Sequence, residues 1–192
     1  MKKALYIHGL ASGAKSKSGR LLKQYLTDYE WTLAEVDHHC EDSLSRLAET
    51  IETLQPDLVC GTSLGGFYTL CLADKIKGRM VLFNPVLNGR EDIRQFVGEV
   101  RYFCKRQNGD KTFVLTDKDC DNMRSPQYVE SQIITNRERI YVFYSDHDEV
   151  LGFDYCKNYI THFGNNAERT SLMGHSLSED FIKHRLTEYI VK

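Results

Sequence analysis

The sequence has 192 residues, with 25 Lys and Arg against 27 Asp and Glu, a formal net charge of −2. That length suits one domain that buries its own core, and 41% hydrophobic residues, 27% charged residues and three prolines exclude disordered and collagen-like chains. The neutral balance without a Lys/Arg-rich block argues against a nucleic acid or a membrane surface as partner, and no apolar run approaches the ~20 residues of a membrane-spanning helix.

Ala4–His8 is a short apolar run that stops at Gly9, followed by Leu21, Leu22, Tyr25 and Leu26 at helical spacing, so the chain opens as strand, loop, helix. His8 and Gly9 also cut off the apolar stretch after Lys2-Lys3, so no export signal is expected. Thr32–Val36 is a second strand, after which Asp42 is placed as N-cap of a helix carrying Leu44, Leu47, Ala48, Ile51 and Leu54 on one face. Asp57–Cys60 is a third strand running into Gly61-Thr62-Ser63-Leu64-Gly65-Gly66, with a helical stripe at Phe67, Leu70 and Cys71, and Met80–Phe83 is a fourth.

Between Asn84 and Arg139 the rhythm breaks, which points to a helical insertion; Phe96, Tyr102, Phe103 and Phe113 within it read equally as part of a lid or as ordinary core. Ile140–Tyr144 restores a strong strand, then come a helix over Phe153–Phe163, a weak strand at Arg169–Leu172 and a last helix with Phe181, Ile182, Leu186 and Tyr189. The expected fold is therefore α/β: a three-layer α/β/α sandwich on a mostly parallel sheet, forming one domain over 1–192 with a small helical insertion, a lid at about 88–139. The six cysteines, Cys40, Cys60, Cys71, Cys104, Cys120 and Cys156, form no CxxC pair, which predicts reduced thiols in a cytoplasmic protein.

Reactive groups of open parallel sheets gather at the carboxyl ends of the strands. Here those positions hold His8-Gly9-Leu10, Gly61-Thr62-Ser63-Leu64-Gly65, Asn84-Pro85, Asp146-His147-Asp148 and Gly174-His175. GxSxG between a strand and a helix makes a sharp turn that exposes the serine hydroxyl, so Ser63 is the candidate nucleophile. A serine needs a base, and the base needs a carboxylate to fix its tautomer. His175, in a loop before the last helix, is the candidate base, and Asp146, Asp148 and Glu149 all follow the Ile140–Tyr144 strand as candidate acids. The oxyanion needs two backbone donors, expected at Leu64, next to the nucleophile, and at Leu10, after the first strand. His8 is then a structural residue and His147 a surface one.

Together, Tyr6-Ile7-His8-Gly9-Leu10, Gly61-Thr62-Ser63-Leu64-Gly65-Gly66, Asp148-Glu149-Val150 and Gly174-His175-Ser176 resemble the α/β-hydrolase superfamily along nearly the whole chain. Within it the chain is similar to the small bacterial YqiA-type esterases, through His8-Gly9-Leu10-Ala11-Ser12, Asn84-Pro85 and Ser145-Asp146-His147-Asp148-Glu149-Val150-Leu151. This resemblance implies a short α/β-hydrolase fold and a serine esterase with a Ser63, Asp148, His175 triad, acting on a small-molecule ester or thioester without metal or organic cofactor. The residues 88–139 match no recognisable lid, and the sequence carries no signal for oligomeric state, acyl length or leaving group.

Other motifs fall short. Gly9-Leu10-Ala11-Ser12-Gly13-Ala14-Lys15-Ser16 misses a phosphate-binding P-loop by Ala14, and no later strand ends in the acid that would hold Mg²⁺, which disfavours a phosphotransferase. Asp117-Lys118-Asp119-Cys120-Asp121-Asn122 lacks the glycine and the final glutamate of a calcium loop and reads as a polar turn. His38-His39-Cys40 has no second ligand cluster at zinc spacing. A binding module with an idle triad would have lost Ser63, His175 or the acid, and none is lost; thioester cleavage and acyl transfer use the same triad.

Overall fold

Near-continuous apolar strands flanked by helices bury a sheet on both faces. The computed structural model describes residues 1–191. Its strands are β1 (Lys2–Ile7), β2 (Tyr29–Ala34), β3 (Leu58–Thr62), β4 (Arg79–Phe83), β5 (Gly98–Arg101), β6 (Thr112–Leu115), β7 (Ile140–Ser145) and β8 (Ala167–Thr170). Six of them form one sheet in the order β2-β1-β3-β4-β7-β8, and every pairing in it is parallel. The expected three-layer, mostly parallel architecture is the one observed.

The two-residue period of the strands sorts their side chains between two cores. Leu5, Ile7, Val59, Met80, Leu82 and Val142 face one side, packed under α2 (Cys40–Leu54), α3 (Leu64–Cys71), α6 (Pro126–Asn136) and α7 (Cys156–Phe163). Ala4, Tyr6, Leu58, Cys60, Val81, Phe83 and Phe143 face the other, under α1 (Lys17–Tyr25) and the C-terminal helix. That last helix starts as α8 (Glu179–Phe181), capped by Ser178, and passes through a π-helical stretch at Ile182–Leu186 into α9 (Thr187–Val191). Every residue of α3 is buried, which is why its sequence shows a continuous apolar run. No helix among the described residues is long and apolar enough to cross a membrane.

Two local expectations are corrected. Asp42 is not an N-cap: α2 begins at Cys40, its cap position is His39, and Asp42 lies in the first turn beside Glu41, where a negative charge complements the helix dipole. Asp117–Asp121 is not a turn but a short helix, α5, opened by a capping box between Thr116 and Asp119, and the Asp117 and Asp121 carboxylates are both held by Arg94.

The 88–139 stretch spans the crossover from β4 to β7 and contains α4 (Gly89–Asp92), α5 and α6. It also contains an antiparallel hairpin of β5 and β6, with Val100 opposite Phe113, which the sequence does not announce. Both strands are four residues long and largely exposed, so they lack the apolar density that marks the central strands. The Val129 and Ile133 side chains of α6 belong to the main core, so this end of the stretch is a layer helix of the fold.

Candidate active site

The β3–α3 turn sets Ser63 at φ 55°, ψ −121°, a conformation rare for a side-chain-bearing residue. Its neighbours hold it there. The Ser63 N–H donates to the Phe83 carbonyl at 3.0 Å, and its own carbonyl accepts from Gly66 at 2.9 Å and Val86 at 3.1 Å. The flanking glycines are required by approach distance: a Cβ on Gly65 would lie 2.1 Å from the Ile7 carbonyl oxygen, and one on Gly61 would lie 2.6 Å from Thr69 Oγ1. Because β1 and β3 are paired neighbours, the loop after β1 arrives beside this turn, and a Cβ on Gly9 would lie 3.0 Å from that of Ser63.

His175 follows β8. Its Nδ1 lies 2.9 Å from both oxygens of Asp148, and both side chains are largely buried. Asp148 Oδ1 also accepts the N–H groups of Val150 at 2.8 Å and Leu151 at 2.9 Å. Burial pushes the Asp148 carboxyl upward, but the His175 hydrogen bond and charge and the two amides outweigh it, so its pKa falls below the usual range and it stays ionised. Asp146, the other candidate acid, points away: it pairs with Arg169 at 2.6 Å, and that bond lowers its pKa. His147 is exposed, as expected.

The loop of His175 is fixed by Glu149, expected only as a third candidate acid but bound to the His175 backbone, and by Asn84, which the sequence marked without a role. Glu149 accepts the His175 N–H at 2.9 Å, and Gly174 leaves room for that carboxylate. Fully buried Asn84, at φ 43°, donates from Nδ2 to the carbonyls of Gly174 at 2.9 Å and His175 at 3.1 Å, while its Oδ1 accepts Ser145 N–H at 2.7 Å. One side chain thus ties the ends of β4 and β7 to the histidine loop. The signal in the sequence was Asn84-Pro85 directly after a strand. Pro85 in turn packs on Gly66, where a Cβ would come within 2.6 Å.

On the opposite side stands the Gly9–Ser16 loop. The Leu10 and Leu64 amides donate to no backbone carbonyl among the described residues, and both residues line one small recess. His8 is structural: Nδ1 contacts the Gly9 carbonyl at 2.8 Å, Nε2 accepts the Val36 N–H at 3.1 Å, and burial pushes its pKa down to about 4. The loop is braced by Arg106, which is only 5% exposed. It donates to the Ser12 carbonyl at 2.8 Å and pairs through Nε with Glu35 at 2.7 Å, while Glu35 Oε2 accepts the Ala14 N–H at 2.9 Å. Phe103 N–H adds a bond to the Ala11 carbonyl at 2.8 Å. A carboxylate already occupying a loop amide is the opposite of a phosphate cradle, so the near-match to a P-loop fails structurally as well.

Between the two sides lies a cleft of about 230 Å³ lined by Ser63, His175, Leu10, Ser12, Lys17 and Phe103, among others. Phe103 is 85% exposed at its edge, on the loop that joins β5 to β6. All six cysteines are free thiols, and five are buried.

Residues 3–184 match the model of an uncharacterised protein family, UPF0227. No curated protein matches the sequence. Among solved structures, the esterase domain of a Rhodothermus marinus protein aligns with a TM-score of 0.64 and 18% identity, over 98% of this chain and 85% of that one. Est1E from Butyrivibrio proteoclasticus aligns with a TM-score of 0.68 and 12% identity, over 100% and 89%. The ydeN gene product from B. subtilis aligns with a TM-score of 0.68 and 16% identity, over 100% of both chains. These likenesses establish the α/β-hydrolase fold.

Proposed function

The chain belongs to the family UPF0227, and on that footing we propose that it is a serine hydrolase of small carboxylic esters. The observation that carries this reading is the shared cleft: a serine on a left-handed strand–helix turn and a histidine held by a buried, ionised carboxylate line the same space. The esterase domain among the structural neighbours points the same way.

In this mechanism Asp148 accepts the Nδ1–H of His175, which leaves Nε2 with the lone pair. Nε2 takes the proton of Ser63 Oγ as the oxygen attacks the ester carbonyl. The Leu10 and Leu64 amides stabilise the oxyanion, and His175 returns the proton to the leaving alcohol. A water, deprotonated by the same nitrogen, then releases the acyl group and restores Ser63. Thioesters fall under the same chemistry. The cleft is small beside the roughly 300–1,000 Å³ of drug-sized ligand pockets, which favours short acyl groups. Within the 88–139 segment, the part that acts as a rim or lid is the β5–β6 loop carrying Phe103. The unpaired thiols suit a reducing, cytoplasmic compartment.

A fluorophosphonate probe followed by intact-mass measurement tests the proposal. One adduct on the wild-type protein, absent from Ser63→Ala, is the expected result. No adduct on folded wild-type protein would overturn it.

A further inference from the structure

We propose that His38, His39 and Asp119 form a binding site for one divalent transition-metal ion of the zinc type. The sequence shows only the His38-His39 pair and argues against zinc for want of a second ligand cluster, because the third ligand comes from α5, far along the chain from the loop before α2. The fold brings the three together: each offers a ligand atom, and these atoms all lie within 4.8 Å of one another. A tetrahedral ion with bonds of about 2.0–2.1 Å spaces its donors roughly 3.4 Å apart, so the cluster closes around an ion by small side-chain rotations. His39 Nδ1 and Asp119 Oδ1 are already 3.1 Å apart.

The surroundings are those of a held site. Asp119 Oδ2 is engaged by the Thr116 N–H at 2.9 Å and the Thr116 hydroxyl at 2.6 Å, which orients the carboxylate with Oδ1 toward His39, the contact that an ion would replace. The His39 N–H donates to Asp37 Oδ1 at 2.9 Å, fixing the loop. His38 is only 8% exposed, its ring stacks on Phe113 with centroids 4.5 Å apart, and its Nδ1 is sealed from solvent with no hydrogen-bond partner. A buried imidazole nitrogen without a partner is costly unless something supplies one.

Two imidazoles and one carboxylate select zinc, cobalt or nickel over magnesium and calcium, which take oxygen donors. Three protein ligands leave a fourth position for water. The ion would tie α5 to the loop after β2, and His38 also lines the recess shared by Leu10 and Leu64. The site does not depend on the reading of Ser63 as nucleophile.

The test is titration of chelator-treated full-length protein with Co²⁺, read by its visible d–d absorption, and with Zn²⁺, read by competition against a chelating dye. Wild type is expected to take one equivalent of Co²⁺ in a tetrahedral or five-coordinate spectrum and to gain thermal stability with Zn²⁺. The side chain of His39 is 55% exposed, so its replacement leaves the packing alone; with native circular dichroism as the control, His39→Asn and Asp119→Asn should each weaken binding by at least ~10-fold. His175→Ala and His147→Asn, which remove the other histidine–aspartate pairs, should bind as wild type does. Absence of the Co²⁺ spectrum at one equivalent, its survival in both His39→Asn and Asp119→Asn, or its loss in His175→Ala would each overturn the proposal.

Discussion

The two walls of the cleft are built on different principles. On the histidine wall, Asp148, Glu149 and His175 come from two loops at neighbouring strand ends, and the bonds that hold them run between the loops after β7 and β8 and Asn84 just after β4. On the oxyanion wall, a strained loop with Ala11 at φ 57° is held by a side chain from the crossover segment, Arg106, and by Glu35 at the end of β2. The first wall is assembled by the sheet itself. The second depends on a peripheral segment, so it can be weakened without touching the sheet.

Substitutions at the reacting groups set the scale. Ser63→Ala and His175→Ala should each lower kcat on an activated ester by about 10⁴–10⁶-fold with the melting temperature nearly unchanged. Within the histidine wall, Asp148→Asn should cost roughly 10⁴-fold in kcat through the wrong imidazole tautomer, whereas Asp146→Asn, which frees only the exposed Arg169, should stay within about 2-fold. The reverse order in steady-state assays would move the acid role to Asp146.

The oxyanion wall should respond in both activity and stability. Arg106→Met strips Glu35 of its buried partner and should lower stability by about 3–5 kcal/mol in urea titration. It should also reduce kcat more than it raises KM, and the added Glu35→Gln change should return part of the stability. A melt unaltered by Arg106→Met would show that the brace is idle.

The smallest expected effect is a pH dependence from His8 on the same wall. Its pKa falls from 6.5 to about 4 on folding, because burial disfavours the charged ring. The unfolded chain therefore binds more protons, so this contribution is complete above pH 6.5 and drains away as the pH falls toward 4, about 3 kcal/mol in all. Asp148, whose folded pKa is depressed, loses its share over the acid side as well. His8→Asn should flatten the slope of stability between pH 6.5 and pH 4 relative to wild type, measured by urea midpoints.

The histidine wall was also the more legible one. β7 carries dense β-branched and aromatic residues and β3 is a short, fully buried apolar run, and Ser63 and His175 follow strand signals, so local pattern suffices to place them. Asp148 came through resemblance, since the residues alone left three acids open. Arg106, Glu149 and Asn84 act through partners far away in the chain, and nothing in a short window distinguishes a buried arginine such as Arg106 from the solvated Lys105 beside it. The β5–β6 hairpin was hidden for the complementary reason. Its strands are short and half-exposed, and the few side chains that anchor them, Val100, Phe113 and Leu115, are too few to impose an apolar rhythm.

β4 and β7 are adjacent in the sheet, with Met80 opposite Ile140, although the chain between them is long. A crossover anchored at both ends by strand register is a natural point for exchange: segments of other lengths can be grafted there to alter which molecules enter the cleft. Arg106 restricts that freedom. A graft lacking a cation at its position leaves the Glu35 carboxylate facing the Ala14 amide alone, with no countercharge on its other oxygen. Swapped segments should therefore function only when they carry their own arginine to this point, or when Glu35 changes with them, making the crossover and the loop after β1 a single inherited unit.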